Sequence, residues 1–187
     1  MSILFNNIYK NQNIIKEFVS PSNLTSNGTL GGDSFAVKSG FFRHPSDGGN
    51  GEYEEWDDTE TYPAWYAFDS SNSTFCLIPA YPEYLGYLYI YNPDPINIES
   101  MVITMRSSTY GIRSFTLQYS DDGETWYAIE YFNAGNTSPS TWNITVTPYS
   151  GYHKYYRFEI DRGSRDSLSY RNVQMANIII TGTKLTE

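Results

Sequence analysis

An all-β sandwich or barrel is the fold class this sequence predicts. Three observations predict it: short apolar or alternating runs, turn chemistry between them, and a heavy share of aromatic side chains. Eighteen Tyr, ten Phe and four Trp make 17% of the 187 residues aromatic. Large flat rings suit a pleated, half-buried surface better than a helix interior. With 40% apolar and 18% charged residues the chain can bury a core as one unit, despite a mean hydropathy of -0.49.

Residues 1–22 mix apolar with Asn, Gln and Lys positions and end at Ser20-Pro21-Ser22, a break. They read as an arm or short strand that docks on a neighbour, ahead of a domain spanning residues 23–187. The extended runs that follow are Ser34–Lys38, Ala64–Phe68, Thr74–Ile78, Leu85–Tyr91, Ile98–Arg106, Ser114–Tyr119, Thr125–Tyr131, Thr141–Thr147, His153–Ile160 and Val173–Thr181. Period-two alternation puts Phe115, Leu117 and Tyr119 on one face of their run, and Trp142, Ile144 and Val146 on one face of theirs. Between the runs stand Asn92-Pro93, Asp121-Asp122-Gly123, Pro148–Gly151 and Asp161–Asn172, rich in residues that tolerate tight or positive-φ backbone.

Charge and cysteine usage exclude several functions. A net charge of -9 and a pI near 4.6 oppose the phosphate backbone, so no nucleic-acid partner is expected. The single Cys76, set in the apolar run Phe75–Ile78, allows no intramolecular disulfide or cysteine-rich zinc site and reads as a buried, inert thiol. No run of about 18 apolar residues spans a membrane, and no basic segment ahead of an apolar stretch marks an ordinary signal peptide. The expected setting is therefore a virion surface, or the extracellular space reached by another route. Only His44 and His153 are present, and no nucleophile-elbow, zinc-protease or phosphate-loop motif appears, so no catalysis is expected.

The segment Phe115–Trp126, with Ser120-Asp121-Asp122-Gly123 ahead of Trp126, resembles the discoidin family, also called the coagulation-factor C-type domain. There a strand ends in Ser-x-Asp-Gly, turns, and restarts with a Trp. Asp122-Gly123 supplies the hairpin corner, and Trp126 is expected to anchor the returning strand in the core. Three further pieces fall in the family's order: Ala67-Phe68-Asp69 followed by Thr74-Phe75, then Tyr155-Tyr156-Arg157, then Ile178–Gly182. The match covers residues 33–182, with Ser70 where the family has Gly, Phe75 where it has Trp, and Asn177 where many members carry Glu. The resemblance implies a discoidin-like jelly roll of about eight main antiparallel strands, with a ligand site at one loop end. It also implies a structural calcium ion (Ca2+) near Asp69 and Thr74, although the carboxylate at position 177 is missing.

Antiparallel order makes loops alternate between the two ends. Loops 79–84, 106–113, 132–140 and 161–171 collect at one end, and the resemblance adds 40–61. Loops grouped on a rigid scaffold are where binding resides. Five of the seven arginines, Arg106, Arg113, Arg162, Arg165 and Arg171, lie within or border two of these loops, alongside Tyr81, Tyr84, Tyr110 and Tyr170. Guanidinium forks and aromatic plates are what a carbohydrate or carboxylate ligand needs. Local salt bridges to Asp161 and Asp166 are the competing use of those arginines. The acidic stretch Glu52–Glu60 offers Trp56 as an exposed anchor, or is simply solvated loop.

The function expected is a non-catalytic, carbohydrate-binding adhesion module displayed on a phage particle, with a cell-surface glycan as partner. The alternative is a structural or decoration protein of a phage capsid, tail or tail fibre, joined to other virion subunits through residues 1–22. A membrane partner is not expected, because the loops lack protruding apolar pairs apart from Phe41-Phe42.

Overall fold

The computed structural model describes residues 14–43, 53–55, 61–80, 84–136, 138–147, 149–163 and 172–186. Ten strands are present: β1 (Ile14–Val19), β2 (Ala36–Arg43), β3 (Tyr53–Glu55), β4 (Cys76–Pro79), β5 (Tyr84–Met105), β6 (Ile112–Ser120), β7 (Tyr127–Asn133), β8 (Thr141–Thr145), β9 (His153–Gly163) and β10 (Asn172–Thr186). Among the described residues two short 3₁₀ turns, Ala64–Phe68 and Ser108–Tyr110, join them and there is no α-helix.

β5 belongs to both layers of a sandwich. Its first half, to Tyr91, pairs antiparallel with β2 and β9, while Ile96 to Met105 runs against β10, and Ser100 to Thr104 against β8. The front layer runs β3-β2-β5-β9-β6-β7, and the back layer runs β1-β10-β5-β8 with β4 also on β10. The break expected at Asn92-Pro93 is realised as the corner between layers. Pro93 and Pro95 lack the N–H that a ladder would use, and the register shifts between Tyr91 and Ile96. The Asn92 side-chain amide donates to the Asp94 carbonyl at 2.7 Å, Lys184 Nζ reaches the Asp94 carboxylate at 2.8 Å, and the buried Tyr156 hydroxyl donates to the Ile96 carbonyl at 2.5 Å.

The alternation read from the sequence builds the core. Leu88, Ile90, Phe115, Leu117, Phe158 and Ile160 point in from the front layer, against Ile98, Met101, Ile103, Ile144, Ile178 and Ile180 from the back. Each such side chain contributes about 1.5–3 kcal/mol on burial. Phe115 sits 4.9 Å from Phe158, 5.1 Å from Phe132 and 5.6 Å from Trp142, ring centroid to ring centroid, and so closes the sandwich between β6 and β8. Cys76 is buried as expected, and desolvation pushes its thiol up to about 12, which keeps it protonated and unreactive.

One expectation is corrected. Ala64–Phe68 is a 3₁₀ turn entered from Pro63 and not a strand. Ala64 and Ala67 stand three apart, which a 3₁₀ turn brings onto one side, and both are buried with Phe68 as the turn packs on β10. Residues 14–19 form a short strand docked on β10. β1 lies on β10 from Ile14↔Thr186 to Val19↔Thr181, with Phe18 buried, and Ser20 exchanges two 2.9 Å bonds with Ile180. Residues 1–13 lie outside the described residues.

A Cβ at Gly182, on the bulge beside Asn97, would stand 1.9 Å from the Asn97 carbonyl oxygen, whereas one at Gly135 (φ +83) would meet nothing within 4 Å. Gly182→Ala should cost about 3 kcal/mol in urea unfolding, and Gly135→Ala only about 1 kcal/mol of backbone strain. Equal losses would show that the close approach at 182 is not required.

Candidate functional site

Register brings one set of loops to one pole. Pro79 pairs with Asn172, Thr104 with Thr141, Met105 with Met175, Ile112 with Gly163 and Ser114 with Asn133. The strand ends at Pro79, Met105, Asn133 and Gly163 therefore lie together at one pole, and the Asp121–Gly123 turn lies at the far pole. At this rim Arg106 stands just before the Ser108–Tyr110 turn, and Tyr110 ends it. Tyr84 and Arg162 occupy strand positions at the same pole. Tyr81, Trp56, Arg165, Tyr170 and Arg171 lie outside the described residues, and of the acidic stretch only β3 is described.

Arg106 is exposed and yet fixed. Its guanidinium carbon lies 4.0 Å from the centroid of the Phe75 ring, one terminal nitrogen donates to Gln174 Oε1 at 3.2 Å, and its main-chain N–H donates to the Gln174 carbonyl at 3.1 Å. Phe75 in turn stacks on Tyr62 at 4.6 Å, and Gln174 donates to Asn172 Oδ1 at 3.1 Å. No carboxylate among the described residues pairs with this arginine, so most of its donors remain open. Segment 138–140 is drawn against the neighbouring turn: Met105 N–H donates to the Ser140 carbonyl at 2.9 Å, and a Cβ at Gly111 would stand 1.9 Å from Ser138 Oγ. The sequence marks Phe75 only as the residue where the family has Trp, and Gln174 not at all, because nothing in their own segments points to a partner on another strand.

Arg113 has a different role from the one expected. It is only 3% exposed, Nε donates to the Gly135 carbonyl at 3.1 Å, and a terminal nitrogen donates to Asn136 Oδ1 at 3.3 Å. A buried guanidinium must find acceptors, and these bonds fix the loop that follows β7. Trp126 is also corrected. It is half-buried on the outer face of the front layer, its ring centroid 5.5 Å from that of Tyr89 in an edge-to-face arrangement and 4.4 Å from the Arg157 guanidinium carbon, and it does not enter the core. Tyr87, Tyr89 and Tyr91 alternate with Leu88 and Ile90, and Tyr155, Arg157 and Glu159 with Tyr156 and Phe158. That period-two pattern is the sequence signal for this outer aromatic face.

The fold is that of the discoidin-like, F5/8 type C domains. No family model matches the chain, and no curated protein matches it. Among solved structures, an F5/8 type C domain from Bacteroides fragilis is similar at TM-score 0.55 and 15% identity, over 79% of this chain and 91% of that one. A carbohydrate-binding module from Clostridium perfringens in complex with GalNAc-β-1,3-galactose is similar at TM-score 0.53 and 14% identity, over 77% and 94%. The family 32 module of Clostridium perfringens NanJ in complex with galactose is similar at TM-score 0.52 and 12% identity, over 78% and 93%.

The calcium position implied by the resemblance is supplied with few free oxygens. Asp69 Oδ2 accepts from the Thr74 hydroxyl at 2.6 Å and Oδ1 from the Ser71 N–H at 2.8 Å. Ser70 adopts φ 62 where the family has Gly, and its hydroxyl donates to the Ser22 carbonyl. Asn177 Oδ1, at the family's Glu position, is buried without a hydrogen-bond partner. The described residues hold no group of three or more His, Cys, Asp and Glu placed to hold a metal. A calcium ion takes roughly six to eight oxygens, and one carboxylate already engaged by two protein donors does not fit that role. The 69–74 turn should therefore melt at the same temperature in calcium and in chelator. Asp69→Ala should cost about 1–2 kcal/mol in both. A rise of several degrees with calcium in the wild type would show that an ion completes the turn.

Proposed function

We propose that this chain is a non-catalytic carbohydrate-binding module acting in adhesion, with its ligand site on the rim around Arg106 and Tyr110. The observation that carries this reading is Arg106 itself, exposed, without a carboxylate partner among the described residues, and held by the Phe75 ring and Gln174. A guanidinium fork ordered in advance loses little freedom on binding and offers paired N–H donors to ring hydroxyls or to the carboxylate of an acidic sugar. Tyr110, in the turn that follows Arg106, in this reading supplies an aromatic side chain to the same rim. In this reading Tyr81, Tyr84, Arg162, Arg165, Tyr170 and Trp56 complete the rim, and Arg113 supports it from beneath. Similarity of fold to modules in complex with galactose and GalNAc-β-1,3-galactose supports the ligand class. His153 speaks against catalysis at the far pole, since its ring nitrogens face the Asp121 carboxylate at 2.6 Å and the Ser150 carbonyl at 2.8 Å.

On a glycan array the wild type should retain a defined set of sugars, and Arg106→Ala and Tyr110→Ala should each weaken that binding about tenfold or more. Full binding by both variants would remove the rim from the reading, and no binding by the wild type would end it.

A second reading, assembly into a phage particle as a decoration or fibre subunit, is favoured by β1. This edge strand leaves Ile14 at 53%, Ile15 at 61% and Val19 at 62% exposure. Exposed aliphatics on an open sheet edge invite another chain. Under this reading the wild type should self-associate or join a particle in light scattering, and Ile15→Lys should return it to a monomer. A wild type that stays monomeric and joins no particle would count against assembly.

A further inference from the structure

A second cleft lies on the outer face of the front layer, toward the pole opposite Arg106. Strand pairing sets Lys38, Tyr89, Arg157 and Gln118 in one row across β2, β5, β9 and β6, and the next row carries Tyr91, Tyr155 and Ser120. Trp126, just past the Asp122-Gly123 turn, folds over these rows. Lys38, Tyr89, Asp122, Trp126 and Tyr155 line a cleft of about 360 Å³, within the size range of small-ligand sites.

Its walls are held in place by the protein. The Arg157 guanidinium lies 4.4 Å from the Trp126 ring centroid and 4.7 Å from that of Tyr87, while Gln118 Oε1 accepts from its Nε at 2.5 Å and Glu159 stands 3.7 Å away. Trp126 lines the cleft and Arg157 does not, so the indole is held by the guanidinium and still presents surface to a ligand. Tyr155 tilts against Tyr91 at 4.8 Å. Gly31 and Gly123, both at positive φ, close around it: a Cβ at Gly31 would stand 3.2 Å from the Tyr155 hydroxyl, and one at Gly123 3.2 Å from its ring. Larger residues would push these turns away from the ring.

Asp122 supplies the polar wall. The N–H of Thr125 at 2.7 Å, the N–H of Glu124 at 2.8 Å and the Ser120 hydroxyl at 2.8 Å all converge on Oδ1 and hold the carboxyl well below the usual carboxylate range. Acceptor capacity remains on Oδ2. Lys38 brings a positive charge to the same cleft. With one carboxylate and one ammonium on its walls, the cleft confronts a charged ligand with a like charge, and a neutral hydroxylated one meets a donor and an acceptor.

We infer that this cleft is a second carbohydrate site, taking one uncharged pyranose unit with its C–H face against Trp126 or Tyr155 and its hydroxyls toward Asp122 and Lys38. It rests on the carbohydrate-binding reading for its ligand class alone. Two sites at opposite poles would let one module touch a glycan-covered surface at two points, and the second contact would then form at high effective concentration.

The test follows the indole N–H signals of the four tryptophans in a ¹H–¹⁵N spectrum, with that of Trp126 identified by its loss in Trp126→Phe. The probes are galactose, glucose, mannose and N-acetylglucosamine. At least one should shift the Trp126 signal in the wild type and equally in Arg106→Ala. Asp122→Asn keeps Oδ1 for the turn but turns Oδ2 into a donor, and should weaken the shift about tenfold. Sugar binding that leaves the Trp126 signal unmoved would overturn the cleft and leave the rim standing. Loss of the Trp126 shift in Arg106→Ala would overturn its independence. No response at any resonance to any probe would overturn the cleft, and an empty glycan array beside it would remove the rim as well.

Discussion

The corner at residues 92–95 is the constraint on which the arrangement depends. Because β5 is shared, the register of β2 and β9 on its first half is tied to that of β10 and β8 on its second. A slip of one residue would turn every side chain of a strand to the wrong face. Two prolines remove ladder donors at the crossing, and three tethers on Asp94 and Ile96, from Asn92, Lys184 and Tyr156, set where the crossing occurs. The loops at either pole meet only because this crossing fixes how far each strand runs.

Within that frame the aromatic residues do two separate jobs. Inward, Phe115, Phe158 and Tyr156 fill the sandwich. Outward, Tyr87, Tyr89, Tyr155 and Trp126 form a sheet face that a strongly acidic chain uses to place its few cations. Arg106 lies on Phe75, and Arg157 lies between Trp126 and Tyr87. Rings hold a guanidinium flat without consuming the donors at its edge. Arg106 meets no carboxylate among the described residues, whereas Arg157 is also held by Gln118 and Glu159 and serves to position Trp126.

Much of this was legible beforehand, and for identifiable reasons. Phe115-Leu117 and Ile144-Val146 alternate against polar neighbours, so their inward faces follow from the pleat alone. Asp122-Gly123 demanded a positive-φ corner, and Gly123 has φ 78. Grouping of the rim loops followed from counting antiparallel strands. What failed was context. Ala64–Phe68 is a short apolar run with no decisive period, and Pro63 with its two alanines tipped it to a 3₁₀ turn. Arg113 and Trp126 reversed the usual expectation, the charged residue inside and the indole outside. Each found partners, at Gly135 and Asn136 or at Tyr89 and Arg157, that lie on other strands.

By itself the sequence determined the class of fold, the direction in which most strand residues face, the inert thiol and the end at which the rim loops gather. Each of these depends on spacing within one segment or on the order of segments, and chain order is enough to decide them. Tertiary structure alone decided that β1 closes on β10, that Phe75 carries Arg106, and that Lys38, Tyr89, Asp122, Trp126 and Tyr155 share one cleft. These depend on which residues of distant segments share a row, and that is set by the register of whole strands, a property no local stretch of chain contains.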